Sequence, residues 1–141
     1  MTDLRQAGRL NLLTGLIWGE ARGEAIQGKL AVAWVVRNRV LDKRWPDTYE
    51  DVILQPWQFS CFNPGDANHH SVLRSLLPSW GWSDLDWREC RYAAMGVISS
   101  WVQDMTKGAN HYHAVALDPA PKWADSGKVT GTIGGHIFYR L

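Results

Sequence analysis

The sequence predicts a mainly helical α+β domain with a small β or irregular lobe, and three observations carry that prediction. Apolar residues recur at helical spacing through Leu10, Leu13, Leu16 and Ile17, and again through Leu30, Val32, Val36 and Val40. After Lys107-Gly108 the texture changes to the loose alternation of ANHYHAVAL, as in an extended segment. With 141 residues, 45% apolar and 21% charged, the chain suits one globular domain, residues 1–141, with its own core.

Each element follows from local chemistry. Thr2 can cap the first helix and Asp3 suits its positive first turn. Gly19 and Gly23 weaken the pattern, so this helix is expected to end near Ala21 or Arg22. A second helix is predicted from about Ala25 to Leu41. It carries no charge between Leu30 and Val36, which marks it as the buried central helix, with Arg37 and Arg39 at the negative end of its dipole. Trp45-Pro46-Asp47-Thr48 is turn chemistry, leading into a short helix from Tyr49 to Leu54 that Pro56 stops. QPWQFSCFNPGDANHH, Gln55 to His70, reads as a loop or short hairpin, a common kind of binding surface on a helical scaffold.

Ser71 to Leu77 suggests a further short helix ending at Pro78. Ser83 and Asp86 resemble an N-terminal capping pair for a helix from about Asp84 to Met105, with Leu85, Ala93, Val97, Ile98, Trp101 and Val102 among its apolar positions. Pro119 and Pro121 mark a loop, and HIFYRL closes the chain as a short extended or strand piece.

Several function classes are disfavoured. Fifteen basic residues stand against 14 acidic ones, a formal net charge of +1, which leaves no large electrostatic footprint for nucleic acid. No apolar run approaches the length of a membrane span. MTDLRQAGRL lacks the basic start and apolar run of a secretory signal. Cys61 and Cys90 have no metal-ligand spacing and read as two buried thiols, a disulfide between them staying open. No G-x-S-x-G elbow occurs, and GTIGG, Gly131 to Gly135, lacks the lysine and setting of a phosphate loop. His111 and His113 would share one face of a strand, an acceptable geometry for two zinc ligands. No HExxH helix accompanies them. No cofactor is called for. Nine tryptophans tilt the reading slightly towards a carbohydrate cleft, although most are expected in the core.

The stretch WGEARGEAIQ, Trp18 to Gln27, sets Glu20 and Glu24 at the joint between two core helices. Both could be solvated helix-end residues. Alternatively, Glu20 is the acid of a glycosidic site, because it follows Leu16, Ile17 and Trp18 at a buried helix end. There desolvation and the helix's C-terminal carbonyls both favour the neutral carboxyl. Glu24, past Arg22 and Gly23, looks better placed to pair with Arg22 or to cap the next helix.

WGEARGEAIQGKLAVAWVVRNRV resembles the opening signature of the SleB/CwlJ-like cell wall hydrolases, the spore-cortex-lytic enzymes. QPWQFSCFNP, GANHYHA, PKWA and IGGHIFYR resemble that family's later motifs in the same order, from Ile17 to Arg140. The resemblance implies a lysozyme-like α+β domain acting on peptidoglycan, with Glu20 as the catalytic acid. The usual reaction is lytic transglycosylation between N-acetylmuramic acid and N-acetylglucosamine, leaving 1,6-anhydro ends. It also implies a cleft in which Gln58, Phe59 and Ser60 line one wall, Asn110 and Tyr112 lie on the opposite strand, and His136 sits near the closing turn. Arg22 and Glu24 are then supports.

The GANHYHA histidines depart from the tyrosine or phenylalanine expected there. The spore enzymes generally carry a signal and often a wall-binding domain, neither of which is read here. The chain is therefore expected to resemble a bacteriophage endolysin, made in the host cytoplasm and released to the wall by a holin. The expected partner is the peptidoglycan glycan strand, contacted by a monomer. Competing readings are a hydrolysing muramidase of the same fold, a metal-dependent amidase or peptidase using His111, His113 and His136, and a non-catalytic wall-binding module.

Overall fold

The computed structural model describes residues 4–56, 58–62, 65, 66, 69, 72 and 84–141. A single 3₁₀ turn, Leu4–Ala7, leads into helix α1, Gly8–Ala21. The expected cap at Thr2 lies outside the described residues. Leu12, Leu13, Leu16 and Ile17 of α1 are fully buried. Thr14 is buried among them because its hydroxyl donates to the Leu10 carbonyl at 2.7 Å.

Helix α2, Ile26–Val40, is the central helix that its sequence predicts. One side, with Val32 and Val36, joins α1 in the main core; the other, with Ala31 and Val35, packs against Phe138 of the sheet. A helix buried on two sides has no polar stripe to show between Leu30 and Val36. Each fully buried valine here, and Phe138, contributes about 1.5–3 kcal/mol. Helix α3, Tyr49–Ile53, is capped by the Thr48 hydroxyl, which accepts from the Asp51 N–H at 3.1 Å.

Helix α4, Leu85–Ile98, packs on α1 and α2 and is shorter than its sequence suggests. Ser100 adopts φ +60°, with its N–H bonded to the Val97 carbonyl at 3.2 Å. The Trp101 N–H returns to Gly96 at 2.9 Å. This crossed pair is a Schellman ending, which closes the helix where periodicity alone would extend it to Met105. Trp101 is consequently 67% exposed rather than a core residue. The N-cap also differs: Asp84 accepts from the Trp87 N–H, and Asp86 has other partners. Ser83 lies outside the described residues, as does the expected Ser71–Leu77 helix except for Val72.

Three antiparallel strands form the small lobe in the order β1-β3-β2: β1 His111–Ala114, β2 Lys128–Ile133 and β3 His136–Arg140. Strand β2 is absent from the sequence reading because KVTGTI is a largely exposed edge strand, and Gly131 follows an irregularity in its register. In the β1–β3 register Tyr112 lies opposite Phe138, and His111 opposite Tyr139. Tyr112, Phe138 and His136 therefore share the face towards the helices, while His111, His113 and Tyr139 share the other.

Of the tryptophans described, Trp18, Trp34 and Trp87 are buried, and Trp45 and Trp123 half-buried. Trp57, Trp80 and Trp82 lie outside the described residues. Cys61 and Cys90 are buried free thiols. Among the described residues no helix is long and apolar enough to cross a membrane.

Candidate active site

Glu20 occupies the last turn of α1, and two glycines shape its surroundings. Gly19 faces the segment after Gln58 at close range. A Cβ there would lie 2.7 Å from Val72 Cγ2 and 2.8 Å from both Cβ and Sγ of Cys61. Glycine's missing side chain lets Cys61 and Val72 lie directly on the helix and brings Cys61 to Glu20. Gly23, at φ +87°, then turns the chain into α2. Its N–H donates to Asp86 Oδ2 at 2.9 Å. Asp86 also pairs with Lys29, a fully buried lysine that reaches Glu89 at 2.9 Å. The joint that carries Glu20 is thereby tied to α4.

The Cys61 thiol, the Tyr112 hydroxyl and the Cys61 backbone N–H are placed as donors towards the Glu20 carboxyl. Burial pushes its pKa above the usual carboxylate range. The donors pull it down, and the nearby charge of Asp66 pushes it up further. The net direction is upward, as expected for a carboxyl at an apolar helix end. Burial, then the Glu20 charge, raises both the Tyr112 hydroxyl and the Cys61 thiol above their ordinary values, so both stay protonated as donors. From the sequence Cys61 reads only as a buried thiol, and Asp66 carries no mark of its own. Their signal is only proximity to the QPWQFS motif, and chain order does not tell which residue of a loop turns inward.

Arg39 is the other unforeseen member. It reads as a helix-end cation, yet it is 4% exposed. Its Nε donates to the Asn110 carbonyl at 2.7 Å and its guanidinium to Gln58 Oε1 at 3.1 Å. It also lies over the Phe59 and Trp45 rings, 5.2 and 5.5 Å from their centroids. Burial lowers its pKa, and Tyr112 opposes that shift. Arg39 thus joins the QPWQF segment to the start of β1.

The residues expected to line the cleft divide accordingly. Tyr112 reaches Glu20. Gln58 is exposed with its carbonyl held by Arg39. Phe59 is buried in the main core, packing rather than lining. Ser60 lies in a short turn, Ser60–Phe62, and its side chain is outside the described part. Asn110 has a different task. Its Nδ2 donates to the Leu141 carbonyl and its Oδ1 accepts from the Leu141 N–H, both at 3.0 Å, so its side chain substitutes for backbone pairing at the sheet's end. His136 is buried with its ring edge-on to Tyr112 at 5.1 Å. Burial lowers its pKa, while Glu24 pulls the other way.

The supports also differ from expectation. The Arg22 guanidinium lies 5.2 Å from the Trp18 ring centroid. Glu24 does not cap α2, whose N-cap is Ala25 without a side-chain cap bond. Instead, Glu24 Oε1 accepts from the Gly135 N–H of the β2–β3 turn at 2.7 Å. The suggested His111–His113 metal pair finds no support in the geometry. Both lie on the sheet face away from Glu20, against Trp123. The two His113 ring nitrogens meet the Ala114 carbonyl and the Tyr139 hydroxyl at 2.8 and 2.9 Å. Among the described residues no three His, Cys, Asp or Glu side chains gather as a metal site.

Comparison with known proteins places this geometry. The chain is 36% identical over 129 residues to the spore cortex-lytic enzyme of Bacillus subtilis, covering 92% of this chain and 36% of that protein. It is 29% identical over 129 residues to the Bacillus cereus enzyme, covering 92% and 43% respectively. The chain therefore spans less than half the length of these curated relatives. The catalytic domain of the germination-specific lytic transglycosylase SleB from Bacillus anthracis shares the fold. Its TM-score is 0.73 at 25% identity, covering 94% of this chain and 93% of that one. The family pattern described as Cell Wall Hydrolase matches residues 23–139, beginning just past Glu20. The chain belongs to the Cell Wall Hydrolase family.

Proposed function

We propose that this domain cleaves the glycosidic bond between N-acetylmuramic acid and N-acetylglucosamine in peptidoglycan, as a lytic transglycosylase with Glu20 as its acid and base. The observation that carries this reading is the half-buried Glu20 carboxyl at the α1–α2 joint, its pKa raised by desolvation, with the Cys61 and Tyr112 donors facing it. Its raised pKa keeps a proton available for the bridging oxygen, and its donors stabilise the carboxylate left after transfer. As the bond to that oxygen breaks, the muramyl C6 hydroxyl attacks C1 and gives its proton to the Glu20 carboxylate. The product is a 1,6-anhydro end, the acid is regenerated, and no water is consumed. The likeness to a lytic transglycosylase catalytic domain supports this choice.

Asp66 favours a second reading. A carboxylate in electrostatic reach of Glu20 could activate water for hydrolysis of the same bond. Mass spectrometry of muropeptides released from purified sacculi separates the two. Anhydro-muropeptides are expected; products heavier by one water throughout would establish the muramidase, and intact sacculi would defeat both.

The donors make a pH prediction. Each favours the charged form of Glu20, so removing one raises its pKa further and keeps the acid protonated to higher pH. Cys61→Ala and Tyr112→Phe are each expected to move the alkaline limb of the rate profile upward. A limb that stays in place in both variants would contradict Glu20 as the titrating acid.

A further inference from the structure

The second glutamate of the motif has a task that capping does not describe. Glu24 leaves the helix joint and reaches the β2–β3 turn, where Oε1 accepts from the Gly135 N–H at 2.7 Å and stands 3.9 Å from His136 Nδ1. The turn is shaped around it. Gly134 sits at φ +56°, and a Cβ on it would collide with Glu24 Oε1. At Gly135 a Cβ would lie 3.3 Å from Oε2, and at Gly28 of α2 3.1 Å from Glu24 Cβ. Three glycines therefore make room for one carboxylate.

From that clasp a chain of contacts returns to Glu20. His136, the first residue of β3, is buried beside Glu24 and meets the Tyr112 ring edge-on at 5.1 Å. The Tyr112 hydroxyl in turn faces the Glu20 carboxyl as a donor. Glu20 and Glu24 flank the Gly23 turn, so one short segment holds the reacting carboxyl and the latch for the lobe that presents its donor.

We propose that Glu24 is a positioning residue: by clasping the Gly134-Gly135 turn it holds His136 and Tyr112 in register with the Glu20 carboxyl. The inference rests on Glu20 being the acid. A lobe released from this latch keeps its strands and its Phe138 anchor but loses the fixed approach of the Tyr112 hydroxyl. Displacements of about 1 Å in such arrangements cost on the order of 10²-fold in rate.

The test uses the whole chain on purified sacculi. Glu24→Ala, Glu24→Gln and Gly134→Ala are compared by kcat, KM, rate against pH and melting temperature. Glu24→Ala is expected to lower kcat by about 10- to 100-fold with KM nearly unchanged, and to move the alkaline limb upward as Tyr112→Phe does. Glu24→Gln, still able to accept from Gly135, recovers part of the rate. Gly134→Ala reproduces the loss with Glu24 intact. Combined with Tyr112→Phe, Glu24→Ala adds little, because both act through one hydroxyl. An unchanged kcat in Glu24→Ala overturns the proposal, as does a loss that follows melting alone with the alkaline limb unmoved, or full additivity in the double variant. The two readings fail separately: activity persisting in Glu20→Gln removes the acid assignment, whereas an inactive Glu20→Gln beside a normal Glu24→Ala removes only the latch.

Discussion

Glu20→Gln is expected to abolish wall cleavage, with at least a ~10²-fold loss, while the fold survives. Glutamine keeps the volume and an oxygen that can accept from Cys61 and Tyr112, so the pocket has little reason to rearrange. What disappears is the transferable proton. The same substitution makes a stability prediction of a defined sign. The raised pKa means that the folded chain holds the Glu20 proton more tightly than the unfolded chain does. This carboxyl therefore favours folding fully below its ordinary pKa, and that contribution is lost as pH rises through the folded value. Glutamine does not ionise, so at neutral pH the variant is expected to melt no lower than the parent, and higher if Glu20 is charged there. A turbidity assay on sacculi and a melting curve check both parts. Near-normal lysis, or a marked fall in melting temperature at neutral pH, would count against the account.

Arg39→Ala is expected to produce the largest loss of stability among the residues around the site. Truncation leaves the Asn110 carbonyl without its donor, frees Gln58, and opens a void between the Phe59 and Trp45 rings. An unsatisfied buried acceptor costs about 1–3 kcal/mol and a large-to-small change in a packed interior about 2–5 kcal/mol. The terms overlap, so a loss of about 3–5 kcal/mol is expected, or a fall in melting temperature on the order of 10 °C. Arg39→Lys should recover little, because an ammonium has neither the planar face for two rings nor the fork for two acceptors. Thermal denaturation of the three proteins decides. A lysine variant equal to the parent would mean that charge alone matters at this position.

Local chemistry made much of the scaffold legible. Helices α1, α2 and α3 follow from apolar spacing and turn residues, and the uncharged run of α2 foretold its burial. Where the reading failed, backbone geometry or distant partners intervened. Helix α4 stops at Ile98 because Ser100 takes a left-handed conformation that a non-glycine residue gives no reason to expect. Strand β2 escaped notice because an exposed edge strand need not alternate. Within the site, Asn110 looked like a ligand-binding amide and proves to bond the Leu141 backbone. Phe59 packs in the core, and Glu24 reaches the lobe rather than its own helix. A polar side chain at a helix end has many partners within reach, and only packing chooses between them.

A mainly helical domain and a buried central helix could be read from the chain alone, because hydrophobic periodicity is a local property. Glu20 stayed open between a solvated helix end and a site acid until its motif's resemblance to the cell wall hydrolases favoured the acid. Which groups surround the Glu20 carboxyl depends on the folded chain. Gly19 lets Cys61 approach, β1 brings Tyr112, the segment after Phe59 brings the charge of Asp66, and Glu24 latches the hairpin. These contacts join parts of the chain far apart in order, and close packing rather than local pattern determines where they meet.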